Sequence, residues 1–147
     1  MHALGVRLGA GLEAGDLVVL TGPLGAGKTT LVRGIGEGLH VRGPVTSPTF
    51  VLARTHPSTV GGPPLVHVDA YRLSSALELD DLDIDYPHSV VVVEWGDGLL
   101  DGISPSLLRI DIERPTEGGS EDGDEQGEPR TVTMTGTGPR WTDGPPA

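Results

Sequence analysis

Residues 22–29 read GPLGAGKT, an unbroken match to G-x-x-x-x-G-K-[ST]. The residue types are those that phosphate binding needs. Glycines let the backbone curl so that successive N–H groups converge on phosphate oxygens, and a helix that follows aims its positive end at the same place. Leu24, Gly25, Ala26, Gly27, Lys28, Thr29 and Thr30 are therefore the candidate phosphate-binding residues. Lys28 brings a compact charge to the β- and γ-phosphates, and the Thr29 hydroxyl is a hard oxygen ligand suited to Mg²⁺. Lys28 is also the only lysine among the ten Lys+Arg residues; the others are all arginine. A loop wrapped around a phosphate is a place where a planar guanidinium does not replace an ammonium.

Such a site needs carboxylates to hold the metal and position water, and these sit at the ends of neighbouring strands. Glu94 follows four valines in SVVVVE, and Asp69 ends LVHVD. Glu94 reads as a metal-side acid and Asp69 as a second candidate to hold the metal or position water; each is also readable as a solvated acid capping a strand. Thr46, Ser47 and Thr49 are candidate γ-phosphate sensors in a hydroxyl-rich loop. Arg72 can face phosphate or form a structural ion pair, and Trp95 can border the site or fill the core. The five histidines (2, 40, 56, 67, 88) share no metal-ligand spacing, so no zinc site is assigned.

The elements that must position these residues follow from periodicity and breakers. Leu4, Leu8 and Leu12 recur at near-helical spacing, which predicts a helix to about Glu13, although Gly5, Gly9 and Gly11 weaken it. LVVLT (17–21) is the continuous apolar run of a buried parallel strand. Residues 29–40 read as a helix, and strands are expected at 50–54, within 64–73, over 89–95 and from Leu107 to Ile112. The breaker-rich segment 55–64 suits a long hairpin loop, and the acidic segment 76–85 a short helix. Strand, glycine-rich loop, helix, then further strands is an α/β pattern. Residues 1–113 are the expected domain. Residues 114–130 contain no apolar side chain and read as an acidic disordered insertion or linker, and 131–147 as an edge strand over 131–135 followed by a frayed tail.

Composition bounds the rest. The chain has 147 residues, of which 36% are hydrophobic and only 3% aromatic, so its core is aliphatic. Ten basic against 21 acidic residues give −11, which argues against a broad nucleic-acid-binding surface. There is no cysteine, so disulfides and thiol chemistry are excluded, and a cytoplasmic, reducing setting is expected. No run approaches the roughly 20 apolar residues of a membrane span, and no membrane partner is expected.

Together GPLGAGKTT (22–30), SPTF (47–50), HVDAYRL (67–73) and VVEWGDGL (92–99) closely resemble one family, in order and spacing: the TsaE (YjeE) ATPases of bacterial tRNA threonylcarbamoyladenosine biosynthesis. The resemblance covers roughly residues 4–112. It implies a small three-layer P-loop domain with a mostly parallel central sheet plus antiparallel strands. It also implies that Leu24 to Thr29 wrap the ATP phosphates, that Thr29 and Glu94 hold Mg²⁺, and that Asp69 acts in hydrolysis. Thr49, in a switch-like loop with Ser47, and Trp95 would neighbour the nucleotide. The implied partners are TsaB and TsaD, which transfer threonylcarbamoyl to adenosine 37 of tRNAs that read ANN codons, with tRNA reached through that complex. Members usually carry a strand upstream of the first helix; here MHALG already falls within the region matching the helix, so either the true start lies upstream of Met1 or that strand is absent.

Two other functions compete with a weakly active ATPase used within a partner complex. One is a nucleotide-gated protein-binding module with incidental hydrolysis. The other is a small-molecule kinase, for which the acidic segment supplies no lid arginines. A guanine-reading N-K-x-D motif is impossible in a chain whose one lysine is Lys28, which points to adenine or nonspecific nucleotide binding.

Overall fold

Four consecutive apolar residues need cover on both faces, and β1 (Leu17–Thr21) obtains it at the middle of a sheet. The computed structural model describes residues 2–22, 27–43, 53–70, 82–94, 104–113 and 131–144. Besides β1 its strands are β2 (Ala53–His56), β3 (Leu65–Asp69), β4 (Val90–Glu94), β5 (Leu107–Glu113) and β6 (Thr131–Thr137). They lie in the order β2-β3-β4-β1-β5-β6. The inner four are parallel, while β2 and β6 join the two sides antiparallel. This is the mixed α/β sheet the sequence predicts.

The two sheet faces divide the core by the two-residue alternation of each strand. Val18, Leu20, Leu65, Val90, Val92, Leu108, Ile110 and Ile112 pack with Leu31, Val32 and Ile35 of α2 (Lys28–Gly38) and with Leu8 of α1 (His2–Gly11). Leu17, Val19, Val66, Val68, Val91 and Val93 face the other way, where Leu82, Ile84 and Tyr86 cover them. Residues 82–85 are not helical, contrary to the helix expected over 76–85; a 3-10 turn follows at Tyr86–His88, while 76–81 lie outside the described residues. β2 runs to His56 rather than ending at 54, because every one of its residues pairs with β3; the expected start at 50–52 lies outside the described residues.

The glycines that weaken the first helix in sequence turn out to be its packing surface. Gly5 meets Gly34, and Gly9 meets Gly38, where α1 crosses α2. A methyl group placed on Gly5 would stand 2.9 Å from the Gly34 Cα and press on the Leu31 carbonyl oxygen. Both helices thus carry glycines four apart on one face, and the backbones approach as closely as only glycine allows.

Regular structure continues beyond 135, the expected end of the edge strand. β6 continues to Thr137, and Trp141 is 5% exposed in the same core as α1 and α2. Arg140 reaches the end of the sheet opposite the glycine-rich loop. There Nε and Nη2 bond the two carboxylate oxygens of buried Asp16 at 2.8 and 3.1 Å, and Nη2 also bonds the Gly11 carbonyl at 3.1 Å. Asp16 Oδ2 further accepts the Glu13 N–H at 2.6 Å. Arg140→Ala leaves that carboxylate buried with one donor fewer on each oxygen, so it is expected to cost about 1–3 kcal/mol, read as a lower urea midpoint with unchanged slope. The segment 114–130 lies outside the described residues.

Candidate functional site

The glycine-rich loop leaves the carboxyl end of β1 and enters α2, and Gly27 makes the junction. Its φ of 107° is left-handed, and it caps the helix without any side-chain hydrogen bond to the first-turn N–H groups. The start of α2 therefore keeps donors and a positive dipole end for an anion. Lys28 heads the helix and is 6% exposed. Its Nζ donates to the Gly22 carbonyl at 2.6 Å, which ties the lysine back to the first glycine of the loop motif. Burial pushes the Lys28 pKa below its usual 10.5, and the charges of Glu94 and Asp69 partly oppose that shift. Thr29 is half-buried in the first turn, and Thr30 is exposed.

Asp69 and Glu94 are brought together by strand register. They are direct partners at the carboxyl ends of β3 and β4, and Leu20 of β1 pairs with Glu94 in turn. Alternation puts both carboxylates on the face that carries α2, the same side as Lys28. Glu94 is 7% exposed and Asp69 half-buried, so neither is the fully solvated strand cap that sequence left open. No group of three or more His, Asp or Glu among the described residues could hold a metal alone. A buried ammonium, an uncapped helix start and two strand-end carboxylates are a donor set that fits a metal-bound phosphate chain.

Leu24, Gly25, Ala26, Thr49 and Trp95, together with Thr46, Ser47 and Arg72, lie outside the described residues. One residue the sequence reading left without a role does belong to the cluster. His67 is 0% exposed on β3, and its Nε2 lies 2.5 Å from Glu94 Oε2. The signal available in sequence was an imidazole two positions before Asp69 in an otherwise apolar strand. On the opposite face, Thr21 donates to Asp111, which also accepts from Arg109 Nε at 3.2 Å.

The carboxyl ends of the parallel strands around β1, which lies between β4 and β5, are where open α/β sheets bind ligands. With the loop motif seated there, the class is a P-loop NTPase fold. The solved structure of YdiB from Bacillus subtilis matches it with a TM-score of 0.67 and 29% identity, over 95% of this chain and 79% of that one. The family model "Threonylcarbamoyl adenosine biosynthesis protein TsaE" matches residues 1–121. Proteins described as tRNA threonylcarbamoyladenosine biosynthesis protein TsaE are similar across the chain. That of Streptomyces coelicolor is 58% identical over 96% of this chain and 93% of its own length. That of Mycobacterium bovis is 54% identical over 76% and 71%; that of Bacillus subtilis, 36% over 88% and 75%. The chain belongs to the TsaE family, whose role is in threonylcarbamoyladenosine formation on tRNA.

Proposed function

We propose that the chain is the Mg²⁺-dependent ATP-hydrolysing component of the tRNA threonylcarbamoyladenosine machinery, acting with TsaB and TsaD and reaching tRNA through them. The observation that carries this reading is the convergence of buried Lys28 with register-paired Asp69 and Glu94 at the head of α2. Lys28 and the N–H groups of the loop from Leu24 to Thr29 hold the phosphates. The Thr29 hydroxyl and the Glu94 carboxylate hold Mg²⁺, which when bound spreads the charge of the phosphate oxygens. Asp69, on the adjoining strand, positions the attacking water and takes its proton. Thr49 and Trp95 are assigned to the nucleotide's surroundings from the family resemblance alone.

The surface charge supports a protein partner better than direct tRNA binding, since −11 repels a phosphate backbone. No helix among the described residues is long and apolar enough to cross a membrane. With no cysteine and a tRNA-linked role, the cytoplasm is the compartment we assign.

Asp69→Ala is expected to bind ATP with Mg²⁺ within about threefold of wild type while turnover falls about 10²-fold or more. Calorimetry and steady-state phosphate release measure the two. Undiminished turnover in that variant removes Asp69 from the chemistry. Cells carrying only Asp69→Ala are expected to lose threonylcarbamoyladenosine from digested tRNA by mass spectrometry, and retention of the nucleoside overturns the hydrolysis-driven role.

A further inference from the structure

We propose that His67 is a positioning residue that fixes the Glu94 carboxylate for the metal ion, an inference that rests on the Mg²⁺-ATPase reading above. The other helix-side positions of β3 and β4 in the core are Leu65, Val90 and Val92, all 0% exposed. At His67 an aliphatic side chain would satisfy the same packing, yet an imidazole stands there, also 0% exposed. Its ring runs along the strand toward Asp69's end and bonds Glu94 one pleat further on, at 2.5 Å.

The second ring nitrogen makes the case specific. Nδ1 is buried and has no hydrogen-bond partner among the described residues. An ionised carboxylate only accepts, so the proton of a neutral ring lies on Nε2, leaving a bare lone pair at Nδ1. A lone pair left unmet in the core is a smaller loss than an unmet N–H, so the ring tolerates it. Among the described residues the ring's hydrogen bonding is directed to Glu94 alone.

Glu94 needs that contact. It ends a strand, it is 7% exposed, and its side chain has three torsions to fix. The His67 N–H engages Oε2, which sets the rotamer and leaves Oε1 as the oxygen for the cation. Hydrogen bonds that orient a metal ligand in this way are worth about 10–100-fold in metal affinity. Because Asp69 is two residues along β3 from His67, the same bond holds the metal-side and water-side carboxylates in one frame.

The experiment uses the full chain, ATP as nucleotide and Mn²⁺ as a spectroscopic substitute for Mg²⁺, with free Mn²⁺ read by electron paramagnetic resonance. His67→Phe keeps the ring and removes the donor; His67→Gln places an amide N–H near the Nε2 position. His67→Phe is expected to raise the Mn²⁺ concentration needed for half-saturation about 10–100-fold, with ATP affinity in EDTA unchanged. His67→Gln is expected to return it to within about threefold of wild type. An unaltered metal requirement in His67→Phe overturns the proposal, as does an equal loss in both variants that tracks a fall in melting temperature. If wild type binds ATP with no metal dependence, both the proposal and the ATPase reading fail. Metal dependence in wild type with no change in His67→Phe sinks the proposal alone.

Discussion

Lys28→Ala is expected to weaken ATP binding at least about tenfold, because it removes a charge-assisted contact to the phosphates. Lys28 is the only lysine in the chain, and it is 6% exposed at the head of α2. Lys28→Arg is not expected to rescue. The guanidinium is wider than the ammonium that reaches the Gly22 carbonyl at 2.6 Å, and it has no room to spread in a buried turn. The same burial sets a pH dependence. It lowers the Lys28 pKa below 10.5, so the empty site loses its charge earlier in an alkaline titration than an exposed lysine does. Below the lowered pKa the charged, buried lysine disfavours the empty fold, and that cost fades as the pH climbs through it toward 10.5. Bound phosphates favour the charged form, so ATP affinity is expected to fall as pH rises through the same window, with proton uptake on binding. Isothermal calorimetry in two buffers of different ionisation heat measures both. Unchanged affinity in Lys28→Ala would remove this loop from nucleotide binding.

The second large effect is one of packing. Gly34→Ala combined with Gly38→Ala is expected to destabilise the fold by about 2–6 kcal/mol, lowering the melting temperature by roughly 5–20 °C. On an exposed helix, glycine to alanine gains up to about 1 kcal/mol each in helix propensity. Here the new methyl on Gly34 would stand 2.9 Å from the Gly5 Cα and against the His2 carbonyl oxygen. That on Gly38 would be 2.9 Å from the Ala10 nitrogen. These neighbours are backbone, which yields only by moving α1 away from α2. The clash outweighs the propensity gain, and the sign of the measured change decides the matter. A rise in melting temperature would mean that the helices do not meet through these glycines. Since α2 begins at Lys28, a displaced α1 is also expected to weaken ATP binding.

Much of the site was legible before any fold was known, because its chemistry is local. A phosphate loop needs glycines, a lysine and a hydroxyl within eight positions of chain, so residues 22–29 announce it. Glu94 and Asp69 stood out for a related reason. A carboxylate after an apolar run marks the end of a buried strand, and binding crevices open at strand ends. What no local pattern could supply was that these two acids are register partners on adjacent strands, some 25 residues apart in sequence.

The misread elements share one cause. The glycines of α1 look like helix breakers until α2 lies across them, and then they are the contact. Trp141 and Arg140 sit in a stretch whose glycines and prolines suggest fraying, yet Trp141 completes a core built by distant segments and Arg140 meets an aspartate 124 residues away. His67 has no motif of its own; only the pairing of β3 with β4 gives its ring something to hold. The sequence by itself determined the phosphate-loop motif and the α/β alternation, since both follow from neighbours along the chain. The tertiary structure alone decided which helix faces touch, where the C-terminal strand ends, and which side chain bonds the Glu94 carboxylate. Those outcomes depend on burial and hydrogen bonding between residues that meet only when the chain is folded.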